Sequence, residues 1–141
     1  MLFRKSLERY DIEKHFVCHH PPDSVGGKRG HFPLDWILLS DNLNIAIELK
    51  SSRTPRIYPS MLSDRQRETL ITWSSIAGMA LIIGMVNSNK VSRECFILEV
   101  NSSDLDGILK MQKEVRIPIK EIDGILDLRF LINWKMSKCQ K

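Results

Sequence analysis

The most regular patterning in the chain lies between residues 35 and 50. Ile37, Leu38 and Leu39 form an apolar run, Asp41, Asn42 and Asn44 supply turn chemistry, and Ile45, Ile47 and Leu49 alternate with Ala46, Glu48 and Lys50. Period-two alternation behind a polar turn predicts a β-hairpin with strands over 35–39 and 44–50. Further on, Ser63 and Gln66 have the spacing of a helix-capping box, and Leu70, Ile71, Trp73, Ile76 and Ala77 form an apolar stripe at helical spacing. Gly78 suits the position just beyond a helix end, so a helix is predicted over 64–77, and the apolar segment 79–86 reads as a buried strand.

The flanks are less regular. Residues 3–14 read as a helix, 15–19 as a strand and 94–100 as another strand, joined to 79–86 through Asn87-Ser88-Asn89. Ser102 or Ser103 is placed to cap a short helix reaching about Gln112. Val115, Ile117 and Ile119 alternate like a strand that Pro118 confines to a sheet edge, and 125–134 is compatible with helix or strand. The core order αβββαβ predicts an α/β fold, a mixed central β-sheet flanked by helices.

At 141 residues, 43% of them hydrophobic, the chain can bury one core, and a single domain over 1–141 is expected. No run approaches the roughly 18 apolar residues that span a bilayer. The opening Met1-Leu2-Phe3-Arg4-Lys5 lacks the apolar stretch of a secretory signal. These features predict an intracellular, cytoplasmic protein without membrane association. Cys18, Cys95 and Cys139 are odd in number and scattered, which predicts no disulfide framework. Cys95 reads as core and Cys139 as part of a frayed tail.

The hairpin carries the candidate chemistry. Glu48 and Lys50 project from the same face about 7 Å apart, a span that a metal, a water and a phosphate can share. Asp35 lies thirteen positions before Glu48, and a hairpin folded at residues 41–44 brings the two carboxylates together across the pair. A hard cation such as Mg²⁺, with Mn²⁺ as a substitute, takes carboxylate and carbonyl oxygens plus waters. Asp35, Glu48 and the backbone carbonyl of Leu49 are the candidate ligands, with Lys50 orienting or deprotonating the attacking water. A solvated strand face carrying a cross-strand charge pair is the plainer alternative.

Phe32-Pro33-Leu34-Asp35 followed by Glu48-Leu49-Lys50 resembles the PD-(D/E)xK nuclease superfamily, and within it the Holliday junction resolvases of the archaeal Hjc and bacterial RecU types. Leu7-Glu8-Arg9-Tyr10 stands where those families carry an N-terminal helix with a glutamate, often followed by arginine. The segment from Ser63-Asp64-Arg65-Gln66-Arg67 to Ala77-Gly78-Met79-Ala80-Leu81-Ile82-Ile83 is similar to their glutamine-bearing helix and following apolar strand. The likeness covers roughly residues 4–86. It implies a restriction-endonuclease-like core, Glu8 as a third acid assisting the metal, Gln66 in the catalytic set, Arg9 at the DNA, branched DNA as partner, and a homodimer making paired symmetric nicks. Leu34 stands where RecU-like proteins have a hydroxyl residue, and no long stalk insertion precedes Asp35.

The formal net charge of +4 is mild but unevenly placed. From Lys50 to Arg67 five basic residues (Lys50, Arg53, Arg56, Arg65, Arg67) face one acid, Asp64, next to the proposed catalytic strand. With Lys28 and Arg29 they are the candidate phosphate contacts, although a basic run is also a common solvated face. Gln66 can either cap its helix or reach a water or phosphate from the helix's first turn.

Other features read as structural. His15-Phe16-Val17-Cys18-His19-His20 is packed with ligand types, but consecutive strand residues point to opposite sides, so a polar strand end with His19 or His20 near DNA is favoured over zinc. Gly26-Gly27-Lys28-Arg29-Gly30 lacks the full phosphate-loop pattern, and no nucleotide cofactor is expected. Trp36, Trp73 and Trp134 read as core or dimer interface, and Phe32 and Tyr58 as possible DNA contacts. The functional alternatives are a restriction or repair nuclease of the same fold acting on duplex, flap or RNA, and a non-catalytic DNA-binding module.

Overall fold

A computed structural model describes residues 2–21, 32–86, 94–100 and 104–139. Helix α1 (Leu2–Arg9) and a 3₁₀ turn (Ile12–Lys14) lead into β1 (Val17–His19); β2 (Trp36–Leu39) and β3 (Ile45–Ser52) form the hairpin. A 3₁₀ turn (Pro59–Met61), α2 (Asp64–Ile76), β4 (Met79–Val86) and β5 (Cys95–Val100) follow. The remainder is α3 (Leu105–Lys110), α4 (Gln112–Val115), β6 (Ile117–Ile119), β7 (Glu121–Ile122), β8 (Ile125–Leu126) and α5 (Arg129–Cys139).

Strands β1 to β6 lie in sequence order in one mixed sheet, with β7 and β8 forming a separate two-stranded ribbon. Every neighbouring pair in the large sheet is antiparallel except β3 and β4, which are parallel and joined through α2. That crossover follows from strand direction, since a parallel neighbour can be reached only by carrying the chain back along the sheet. The fold is therefore mixed α/β, with a six-stranded sheet covered by helices.

Strand alternation sorts the core into two layers. Ile45, Ile47, Leu81 and Ile83 face a layer built with Phe3 and Leu7 of α1, Trp36, Leu126 and Leu131. Ala46, Ala80 and Ile82 face the other layer, with Leu70 of α2 and Leu105 and Leu109 of α3. Both central strands are buried on two faces, which explains their nearly continuous apolar sequence. Glu48 and Lys50 share the parity of Ala46, so the sequence pattern places two polar side chains on the α2 side of an otherwise apolar strand.

Local chemistry accounts for the boundaries. Ser63 Oγ accepts from Gln66 N and the Gln66 side chain returns to Ser63 N, forming the expected capping box. At the other end Ala77 N and Gly78 N both donate to Trp73 O. Gly78 has φ 153°, and a Cβ there would lie 2.3 Å from Asn44 O, so the close approach of α2's end to the β2–β3 turn requires glycine.

Several expectations need correction. The helix predicted over 3–14 stops at Arg9, because Asp11 takes a left-handed conformation (φ 53°) and Ile12–Lys14 continues only as a 3₁₀ turn. The cap of α3 is Asp104, whose carboxylate accepts from Gly107 N at 3.1 Å; Ser102 and Ser103 lie outside the described residues, as does the 87–89 connection. The open segment 125–134 divides between β8 and the start of α5. Pro118 does lie on the sheet-edge strand β6. Trp36 and Cys95 are buried, and Trp73 and Trp134 pack partly buried against the two layers. No described helix is long and apolar enough to cross a membrane.

Candidate active site

The β2–β3 pairing brings the predicted residues together. Trp36 pairs with Ile47, where the regular ladder ends, and Asp35 stands in a bend just before β2. Asp35 is anchored through its N–H to Ile47 O (3.1 Å) and through Oδ2, which accepts from Leu49 N at 2.8 Å. In an extended strand a residue's N–H and C=O point to the same side, so the Leu49 carbonyl faces Asp35 as well.

Glu48 is 2% exposed, the most buried acid among the described residues. Its Oε2 lies 3.1 Å from Lys50 Nζ, while Oε1 is buried and no donor reaches it. Desolvation first, and the neighbouring Asp35 carboxylate second, push the Glu48 carboxyl up to about 8 against the opposing pull of Lys50. An acid in this state has an unsatisfied oxygen and a charge that its surroundings disfavour. A divalent cation would answer both.

Lys50 also donates to Gln66 Oε1 at 3.3 Å. Gln66 therefore does both things the sequence allowed: it caps α2 and reaches the hairpin, with Nε2 donating to Pro33 O at 3.4 Å. This amide ties the start of α2 to β3 and to the segment that leads into β2, and fixes one side of the ammonium group. Asp35, Glu48, Lys50 and Gln66 thus form one contiguous constellation at the edge of the α2 layer.

Glu8 is not part of it. It is exposed on α1, which packs against the opposite face of the sheet, and among the described residues no three His, Cys, Asp or Glu side chains gather as a metal-holding group. The donor set that fits a hard cation is two carboxylates and the Leu49 carbonyl, a set suited to Mg²⁺ because that ion keeps several of its waters.

The basic candidates separate. Arg53, Arg56 and Arg65 are exposed between the end of β3 and the first turn of α2, with Arg56 over the Tyr58 ring at 5.7 Å. Arg67 is half-buried, engaged with Asp106 at 2.5 Å, and ties α2 to α3. Arg9 is exposed at the end of α1, away from the carboxylates, and Lys28 and Arg29 lie outside the described residues. Phe32 packs edge-on against Trp73 at 5.7 Å, whereas Tyr58 is 44% exposed.

Sequence reasoning missed two supporting residues. Gln112, 2% exposed, accepts from Ile57 N at 2.7 Å and donates to Ile57 O at 2.9 Å, holding the loop that carries Arg53 and Arg56. Only a polar residue in a helix that proves buried gives such a signal, and the sequence does not show the burial. His20 donates from Nδ1 to Asp35 O at 2.6 Å and stacks on Trp36 at 4.8 Å; its only signal was its place just beyond the strand predicted over 15–19. No protein-family model matches the chain, and no curated protein matches it.

Proposed function

We propose that the protein is a divalent-metal-dependent endodeoxyribonuclease with a restriction-endonuclease-like core, acting as a homodimer on branched DNA, with four-way junctions as the preferred substrate. The observation that carries the reading is the convergence of Asp35, Glu48 and Lys50 around a buried, unsatisfied carboxylate oxygen. A solvated charge pair, the plainer alternative for such residues, does not account for a glutamate that is 2% exposed and held near the top of the carboxylate range by burial. The preference for junctions rests on the resemblance of the sequence motifs to junction resolvases.

Asp35, Glu48 and the Leu49 carbonyl would hold the cation. When bound, it supplies charge neutralisation at the scissile phosphate and an acidified water. Leu49 N–H holds Asp35 through Oδ2. Lys50, with one donor on Glu48 and one on Gln66, retains a third N–H for the attacking water or for charge that develops on the phosphoryl oxygens. In the overall reaction a water oxygen bonds to phosphorus as a bridging sugar oxygen leaves. Arg53, Arg56 and Arg65 would neutralise flanking phosphates, and C2 pairing would place two such sites on a two-fold substrate.

The test is incubation with labelled four-way junction, linear duplex, flap and RNA substrates, in Mg²⁺ and in EDTA. Mg²⁺-dependent paired nicks on the junction alone are expected. Cutting of all DNA substrates would retain the nuclease and remove the specificity; tight binding with no cutting in any metal would leave a DNA-binding module.

A further inference from the structure

Asp35 is held at three points. Its N–H and one carboxylate oxygen are bonded to the main chain of β3. The third is different, because the Asp35 carbonyl is bonded by a side chain, His20, fifteen residues earlier. A carbonyl oxygen only accepts, so at 2.6 Å the His20 Nδ1 carries the proton and the ring is in its Nδ1–H form.

The ring is itself fixed. It stacks on Trp36 with 4.8 Å between centroids and 27° between planes. Trp36, 1% exposed, is in turn contacted by Phe3 at 5.4 Å and by the Arg4 guanidinium at 5.1 Å from α1. The pairing of β1 with β2 runs His19 to Ile37, so the next step puts His20 beside Trp36 and its ring over the residue that follows Asp35. A continuous path therefore runs from α1 through Trp36 and His20 to the backbone of Asp35, on the sheet face opposite the carboxylates.

We propose that His20 is a positioning residue for the metal site: by holding the Asp35 carbonyl from the face opposite the carboxylates, it fixes the backbone from which the Asp35 carboxylate would serve as a ligand. The role rests on the nuclease reading above, since it presumes that Asp35 is a ligand. Its physical logic is that of outer-shell support. The groups that orient a ligand govern affinity nearly as strongly as the ligand does, and their loss weakens metal binding by about 10- to 100-fold.

Two substitutions separate the hydrogen bond from the packing. His20→Phe keeps an aromatic ring against Trp36 and removes the donor. His20→Asn places an amide N–H near the position of Nδ1 and removes the stack. Mn²⁺ binding, measured by titration calorimetry on the full chain without DNA, is expected to weaken about 10- to 100-fold in His20→Phe and to stay within about threefold of wild type in His20→Asn. Far-ultraviolet circular dichroism and melting confirm that each variant folds. Should a variant unfold, the wild-type ring itself supplies the test: at mildly alkaline pH, two-dimensional ¹⁵N–¹H correlation is expected to show Nδ1 as the protonated nitrogen, and an Nε2–H ring would overturn the proposal.

Wild-type Mn²⁺ affinity in His20→Phe would overturn it as well, as would equal losses in the Phe and Asn variants. Asp35→Asn distinguishes the two levels of failure. If it abolishes Mn²⁺ binding while His20→Phe does not alter it, only the role of His20 falls. If Asp35→Asn binds Mn²⁺ as wild type does, the metal site falls and the role of His20 with it.

Discussion

Glu48 is the residue on which the electrostatics of the molecule turn. In the unfolded chain it titrates near 4.5, whereas burial, and then the neighbouring Asp35 carboxylate, raise it to about 8 in the folded metal-free protein. Between those values the folded state binds one proton more than the unfolded state, so stability falls as pH rises. The favourable balance is fully present below about 4.5 and is lost progressively up to about 8. In EDTA, urea unfolding should therefore show Glu48→Gln more stable than wild type by about 2–4 kcal/mol at pH 8 relative to the same comparison at pH 5. An offset that does not change with pH would refute the buried-carboxyl account. Lys50 offers a second residue-scale prediction. Lys50→Met removes the ammonium while keeping an unbranched apolar stem, and should lower single-turnover DNA cleavage by about 10²- to 10⁴-fold with DNA affinity little changed.

At the scale of elements, the site is a junction of a hairpin, a helix start and one loop. Gln66 joins the first two and Gln112 holds the third, since its side chain makes both hydrogen bonds to Ile57 and a further one to Leu109 O at 2.7 Å. Gln112→Ala would leave the Ile57 N–H and C=O buried without partners. A loss of about 2–4 kcal/mol in urea unfolding is expected, with the Arg53 and Arg56 loop more readily cleaved by protease. The elements that build the site were legible because their signals are local: an apolar run before a polar turn gave β2, alternation gave β3, the Ser63 and Gln66 pair gave the start of α2, and an uninterrupted apolar run gave 79–86 to the residue. What was not legible depended on tertiary choices. Asp11 ends α1 by adopting a left-handed conformation that its neighbours do not announce. The β7–β8 ribbon did have a signal, because Asp123-Gly124 between Glu121-Ile122 and Ile125-Leu126 is a two-residue hairpin turn, and both residues take positive φ (51° and 83°). Glu8 illustrates the limit of motif reasoning: its place in the sequence matches the resemblance, yet α1 carries it to the far side of the sheet from Asp35 and Glu48.

The whole molecule presents its chemistry on one side and its scaffold on the other. Arg53, Arg56 and Arg65 are exposed between the end of β3 and the first turn of α2, while α1, α5 and the β7–β8 ribbon contribute to the opposite layer. If these arginines meet phosphates, replacing all three by alanine should weaken junction binding at every sequence alike. It should also flatten the dependence of log affinity on log salt by about 2 to 3. Arg67→Ala should instead act mainly on stability, through the lost α2–α3 tie to Asp106, an exposed pair worth no more than about 1 kcal/mol. Metal-dependent phosphodiester cleavage by Asp35 and Glu48 is decided by single-turnover cleavage of a labelled four-way junction in Mg²⁺ by wild type and Asp35→Asn, with affinity measured alongside. The substitution is expected to leave binding within a few-fold and to reduce cleavage by at least about 10³-fold; cleavage by Asp35→Asn at the wild-type rate would rule out Asp35 as a catalytic ligand.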